Sequence, residues 1–211
     1  MRNLVSPSGY YFSNRLGRVL LESFEETIGR NGLNALLNLT ESSSLIERPP
    51  ANDLSLCFDI AIVSNLNRAL EVIYGPRGAR GLALRSGRAM YDRVVDAFEL
   101  PTGFNDLAFR LLPVQTRLKI GVPALARVLT QHTDQTHRAV DRGSHFDYTI
   151  ERCAVCWGQE AKSPICHLIV GLLQEALCAF GRGQEFRVQQ TECRATGAAA
   201  CVFRIEKEPI V

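Results

Sequence analysis

Apolar residues recur every three or four positions through the first two thirds of the chain and at alternate positions through the last third. The first regime predicts helices and the second predicts strands. Ser13 and Asn14 can cap a helix whose apolar face carries Leu16, Leu20, Phe24 and Ile28, with Gly29 and Gly32 bracketing its end. A short apolar piece, Leu33 to Leu39, leads into a loop marked by Thr40 to Ser44 and by Pro49 and Pro50. A second helix is expected to open at Asp53, to carry Phe58, Ile62, Leu66, Leu70 and Ile73 on one face, and to stop at Gly75 before Pro76. The next runs to Phe98 with Leu84, Tyr91, Val94 and Val95 on its apolar side; Gly81 and Gly87 inside it point to a closely packed neighbouring backbone. A short helix from Asn105 to Leu112 and a longer one from Pro113 to Gln131 follow, and Pro123 should kink or divide the latter.

Near residue 137 the period drops to two. His137 to Val140 and Phe146 to Ile150 read as strands joined by a turn at Asp141 to Ser144. After the loop CAVCWGQEAKSP comes an apolar helix, Ile165 to Phe180, and then strands at Glu185 to Thr191 and Ala200 to Ile205, with Gly197 in the turn between them. The expected fold class is α+β, one compact domain in which the helical region 1–136 packs on a small antiparallel sheet within 137–211. The helix from Asp53 to Ile73 and the glycine-interrupted one from Gly78 to Phe98 carry more apolar surface than so small a sheet can cover. That excess predicts a two-fold homodimer through the N-terminal helices.

Composition narrows the function without naming it. The 211 residues are 46% apolar with 24 basic and 22 acidic side chains, so the chain is globular. A net charge of +2 provides no field for nucleic acid. No apolar run approaches the ~18 residues of a membrane span, and MRNLVSPSGYYFSNR lacks the apolar stretch of a secretory leader, so a cytoplasmic location is expected. No nucleophile with its base, carboxylate pair or nicotinamide fingerprint emerges, which favours a non-catalytic protein. The run from Gly75 to Gly81 lacks the Lys-Ser/Thr ending of a phosphate loop, and the four histidines have no metal-ligand spacing.

The cysteines carry the chemistry. Cys57 stands apart and Cys178 falls inside an apolar helix, but the other five are spaced Cys153-x2-Cys156-x9-Cys166-x26-Cys193-x7-Cys201. They fall in a loop, at a helix start and at the inner ends of two strands, the elements that deliver thiolates to a tetrahedral zinc ion. Five candidates compete for four places, and iron is the alternative metal. Cys153 and Cys156 also form a CxxC pair, although an antiparallel hairpin is not the setting of a redox CxxC.

The stretches ERCAVCWG, SPICHLIVGLLQ and TECRATGAAACVFRI, between Glu151 and Ile205, resemble the 4-vinyl reductase domain, a family related to subunits of the TRAPP tethering complex and to aromatic-sensing domains of phenol- and xylene-responsive activators. In the sensors that this stretch resembles, zinc is held at places corresponding to Cys166, Gln190, Cys193 and Cys201. Gln190 stands where a glutamate is expected, and a neutral amide is a poor zinc ligand. Cys156 is therefore the expected fourth ligand, with Cys153 and Gln190 as further candidates. The resemblance also implies a dimer and an apolar cavity for a small hydrophobic or aromatic molecule or an acyl chain, with Trp157, Ile169, Val170, Leu173, Phe186 and Val188 as lining candidates. The competing expectation is an accessory enzyme or pigment carrier of tetrapyrrole or bacteriochlorophyll biosynthesis.

Overall fold

The computed structural model describes residues 4–98, 109 and 111–210. Strand β1 (Tyr11–Ser13) leads into α1 (Asn14–Leu39), and the short α2 (Ser44–Glu47) precedes β2 (Leu56–Asp59). Helices α3 (Ile60–Phe98) and α4 (Val114–Gln131) complete the N-terminal part. Strands β3 (Thr136–Asp141) and β4 (His145–Glu151), helix α5 (His167–Phe180), and strands β5 (Phe186–Glu192) and β6 (Cys201–Pro209) complete the chain. The fold is α+β in one domain. Its helices are not all N-terminal, because α5 also covers the sheet. The expected helix from Asn105 to Leu112 lies mostly outside the described residues.

The four-stranded sheet is antiparallel in the order β3-β4-β6-β5. Its inner rows are set by the register Phe146 with Ile205, Tyr148 with Phe203 and Ile150 with Cys201. All six of these residues are at most 1% exposed, so a one-residue slip would turn the whole core face outward. Helix α4 packs on β3 and α5 on β5, α3 lies against α5, and α1 lies against α3. The inner row of β6 ends at Lys207, which is buried; its Nζ donates to Asp141 and to the Gly143 carbonyl and sits over the Phe146 ring. One ammonium thereby fastens the β3–β4 turn to the last strand.

The helix expected from Asp53 begins instead at Ile60, because Leu56 to Asp59 pair with Tyr11 to Ser13 as a two-stranded ribbon. Phe58 stacks on Phe12 in that ribbon. Asp53 stays in the preceding loop, bonded to Asn14 and to Ser55 N–H, and it is Asp59 whose carboxylate accepts from Ala61 N–H. Ser13 caps α1 as expected, accepting from Leu16 N–H. Gly29 (φ 74°) and Gly75 (φ 69°) break α1 and α3 without ending them; α1 resumes because Leu33, Leu36 and Leu37 are buried beyond the break. Helix α4 continues through Pro123 rather than dividing there.

Of the two glycines inside the second half of α3, Gly87 marks the close crossing. A Cβ there would stand 1.9 Å from the Leu168 carbonyl oxygen of α5, and one on Gly171 would stand 2.0 Å from the Leu84 carbonyl oxygen. The two helices touch backbone to backbone. At Gly81 a Cβ would meet nothing within 4 Å. Gly87→Ala should therefore destabilise the protein by about 3 kcal/mol, the upper range for overpacking, whereas Gly81→Ala should add up to about 1 kcal/mol through helix propensity. Denaturant unfolding of the two variants measures both, and equal effects would contradict the crossing.

Candidate metal centre

The five clustered cysteines reach one point from four directions. After β4, Arg152 adopts φ 54° and turns the chain into a short 3-10 segment, Ala154–Cys156, which delivers Cys153 and Cys156. Cys166 stands immediately before α5, Cys193 immediately after β5, and Cys201 opens β6 beside Ile150 in the core-facing row. Cys156 is 2% exposed and the other four are wholly buried.

The Sγ atoms of Cys153, Cys156, Cys166 and Cys201 all lie within 4.8 Å of one another. Cys153 and Cys166 are 3.7 Å apart, Cys156 and Cys201 3.4 Å, and Cys166 and Cys201 3.8 Å. Four thiolates about 2.3 Å from one zinc ion stand about 3.8 Å apart, so this spacing fits a tetrahedral thiolate site and these four residues could hold a metal ion. Cys193, expected among the ligands, lies outside this mutual group but 3.8 Å from Cys166. Cys57 is exposed and Cys178 half-buried, and neither belongs to the group.

Without a cation, so many sulfurs in contact resist full ionisation. Hydrogen bonding among the thiols, from Cys153 first, holds the Cys201 thiol far below its ordinary pKa, while Cys166 is pushed well above it, again with Cys153 as the largest cause. One sulfur becomes the anion that the others donate to. A divalent cation would remove that conflict, because each thiolate would then face positive charge. The Arg194 N–H also points at Cys201 Sγ, 3.4 Å away.

Gln190 bonds backbone at both ends of its amide. Its Oε1 accepts from Cys166 N–H at 3.0 Å and its Nε2 donates to the Glu192 carbonyl at 3.1 Å. It thus orients the segment that presents Cys166. The sequence does not reveal the partner of the 153–159 loop, which is α3. Ser64 Oγ donates to the Trp157 carbonyl at 2.6 Å, and Gln159 Nε2 donates to Ser64 O and Oγ at 2.9 and 2.7 Å. Ser64 and Trp157 are 93 positions apart, and nothing in the pattern around a helical serine signals such a bond.

Among the residues expected to line a cavity, Leu173 and Phe186 are at most 2% exposed, Val170 and Val188 are buried, and Ile169 packs half-buried against the same core. Trp157 is half-buried, with its ring edge-on to Tyr10 and beneath the Arg194 guanidinium. With Cys156, Gln159, Arg194 and Thr196 it lines a surface cleft of about 650 Å³, whose lining includes none of the other five.

Residues 146–207, which hold β4 to β6 and all five clustered cysteines, match the 4-vinyl reductase domain. No curated protein matches the chain. Among solved structures, an H-NOX protein from S. oneidensis in the Fe(II)NO ligation state aligns over 92% of this chain and 98% of its own, with TM-score 0.54 and 14% identity. The Fe(II) unliganded H-NOX protein from K. algicida aligns over 94% of this chain and 98% of its own, with TM-score 0.54 and 11% identity. At these identities the likeness is one of fold: the 4-vinyl reductase match lies inside a whole-chain architecture shared with H-NOX proteins.

A second buried polar pair lies on the inner face of the sheet. His137 Nδ1 is 3.1 Å from the Tyr148 hydroxyl, and Nε2 is buried with no hydrogen-bond partner among the described residues. Burial lowers the His137 pKa to about 3, so the ring is neutral in the folded protein. In the unfolded chain it titrates near its ordinary value, so the unfolded state binds the extra proton first as pH falls. Between about pH 6.5 and 3 each unit of acidification should cost up to about 1.4 kcal/mol from this group. Unfolding free energies measured from pH 7 to 4 should fall more steeply for the wild type than for His137→Asn; parallel curves would contradict this assignment.

Proposed function

We propose that the chain is a non-catalytic binding domain for a small hydrophobic molecule, with a structural zinc ion held by cysteines that fixes the ends of β5 and β6 to the start of α5. The observation that carries the zinc is the spacing of four wholly or almost wholly buried sulfurs at tetrahedral edge lengths. Zinc is the default occupant of a closed thiolate site. The 4-vinyl reductase match over the same strands supports a binding domain, as does the shared fold with H-NOX proteins, whose structures are described in Fe(II) ligation states. The ligand reading assigns the core around Leu173, Phe186 and Val188, with Ile169, Val170 and Trp157 at its margin, as the apolar wall.

The metal would act by folding. The thiolates are delivered by separate segments, so a bound ion replaces the repulsion of like charges with bonds that join α5, β5, β6 and the 153–159 loop. Ser64 and Gln159 then hold that loop to α3 and Gln190 holds the Cys166 backbone, so these residues position ligands without touching the ion. A homodimer through the N-terminal helices belongs to the same proposal. Intramolecular packing covers most of the helical surface, and the apolar groups left exposed include Leu39, Val72, Ile73 and Tyr74 around the ends of the broken helices.

Purified chelator-free protein should contain about one zinc per chain, and its removal should lower thermal stability sharply; Cys57→Ser and Cys178→Ser should leave the content unchanged. Elemental analysis giving far less than half an equivalent would contradict the zinc reading, and iron with a visible charge-transfer band would redirect it. Mass spectrometry of organic extracts should find a small hydrophobic compound, whereas a coloured tetrapyrrole retained from the native host would favour the pigment-carrier alternative. Sedimentation at micromolar concentration should give a species of dimer mass, and a single species of monomer mass would contradict the dimer.

A further inference from the structure

The five sulfurs are not an irregular crowd. Cys156, Cys166 and Cys201 form a triangle, with Cys201 3.4 Å from Cys156 and 3.8 Å from Cys166. Cys153 closes one group of four with this triangle, 3.7 Å from Cys166. Cys193 stands 3.8 Å from the same Cys166 sulfur, and its thiol interactions are with Cys156, Cys166 and Cys201 and do not include Cys153. Two thiols that share the same three neighbours but not each other occupy the two apices of a bipyramid.

We propose that Cys156, Cys166 and Cys201 hold the metal in common and that Cys153 and Cys193 are alternative fourth ligands, one on each side of the three-thiol triangle. The inference rests on the metal-centre reading and goes beyond it by assigning a reserve ligand. A structural zinc site accepts four ligands, so the two apices cannot both be bound in one closed tetrahedron. With bonds of about 2.3 Å the ion sits about 0.8 Å above the plane of three thiolates. Exchange of one apex for the other therefore moves the ion by only about 1.5 Å through the triangle. Both apical thiols are already buried in place, Cys153 at the entry of the 3-10 segment and Cys193 at the end of β5. The second apex also accounts for Gln190: with a thiol on each side, the site needs no carboxylate there, and the amide is free to bond the Cys166 backbone.

The test uses the full-length chain and zinc(II) or cobalt(II) alone. Cys153→Ala and Cys193→Ala should each keep one metal per chain, bind zinc within about tenfold of the wild type in chelator competition, and give cobalt(II) thiolate charge-transfer bands of wild-type intensity. The double variant should bind at least about 100-fold more weakly. Loss of stoichiometric zinc, or of about a quarter of the cobalt band, in either single variant would overturn the proposal, as would wild-type affinity in the double variant. Should the double variant fail to fold, the cobalt bands of the two singles decide alone, because alternative ligands predict four thiolates in both. A wild-type chain that takes up no metal would overturn the metal-centre reading itself, an outcome distinct from loss in one variant.

Discussion

Five thiols buried at contact distance set the terms for the C-terminal half of this protein. Sulfurs 3.4 to 3.8 Å apart in a water-free interior can share protons among themselves, but they cannot all ionise without a cation. The segments that carry them are otherwise weakly connected: a loop, a helix start and two strand ends. Whatever neutralises the sulfurs therefore also determines whether β4, β5, β6 and α5 keep their relative positions. The remaining polar contacts at the centre are arranged around that condition. Gln190 satisfies the Cys166 backbone, the Arg194 N–H faces Cys201, and Ser64 with Gln159 ties the cysteine loop to the long helix beneath it.

The helical half solves a different problem, that of placing α3 close enough to α5 to give the loop something to dock on. The answer is a backbone contact at Gly87 and Gly171, where no side chain larger than hydrogen fits. From that crossing the Ser64 end of α3 extends beneath the loop, and Tyr10 and Val5 of the N-terminal segment close over Trp157 and Gly158. The centre is thus supported from the sheet on one side and from α3 on the other.

Much of this was legible from sequence because it is periodic. The helical stripe beginning at Leu16, the break at Gly75 before Pro76, the alternation of Phe146, Tyr148 and Ile150, and the close-packing role of Gly87 all follow from spacing and from glycine chemistry. The ribbon of β1 and β2 was not legible, since Phe58 falls in phase with the helix that follows it and a three-residue strand such as Tyr11–Ser13 has no period to detect. Asp53 and Asp59 are equally good helix openers locally, and only the pairing of Leu56 to Asp59 with β1 decides between them. Among the cysteines, spacing separated the five clustered residues from Cys57 and Cys178, but the order β3-β4-β6-β5 and the turn at Arg152 determine which sulfurs face one another. Sequence pointed to Cys156 over Cys153 for a single open place, whereas the folded chain sets Cys153 within the group of four and Cys193 beside it.

Everything argued for the C-terminal half depends on the identity of what binds the sulfurs. Zinc K-edge X-ray absorption on protein purified without chelators and without added metal tests it most directly. A structural zinc ion held by these cysteines predicts a shell of four sulfurs at about 2.3 Å. A shell dominated by nitrogen or oxygen, or no zinc edge at all, would contradict it.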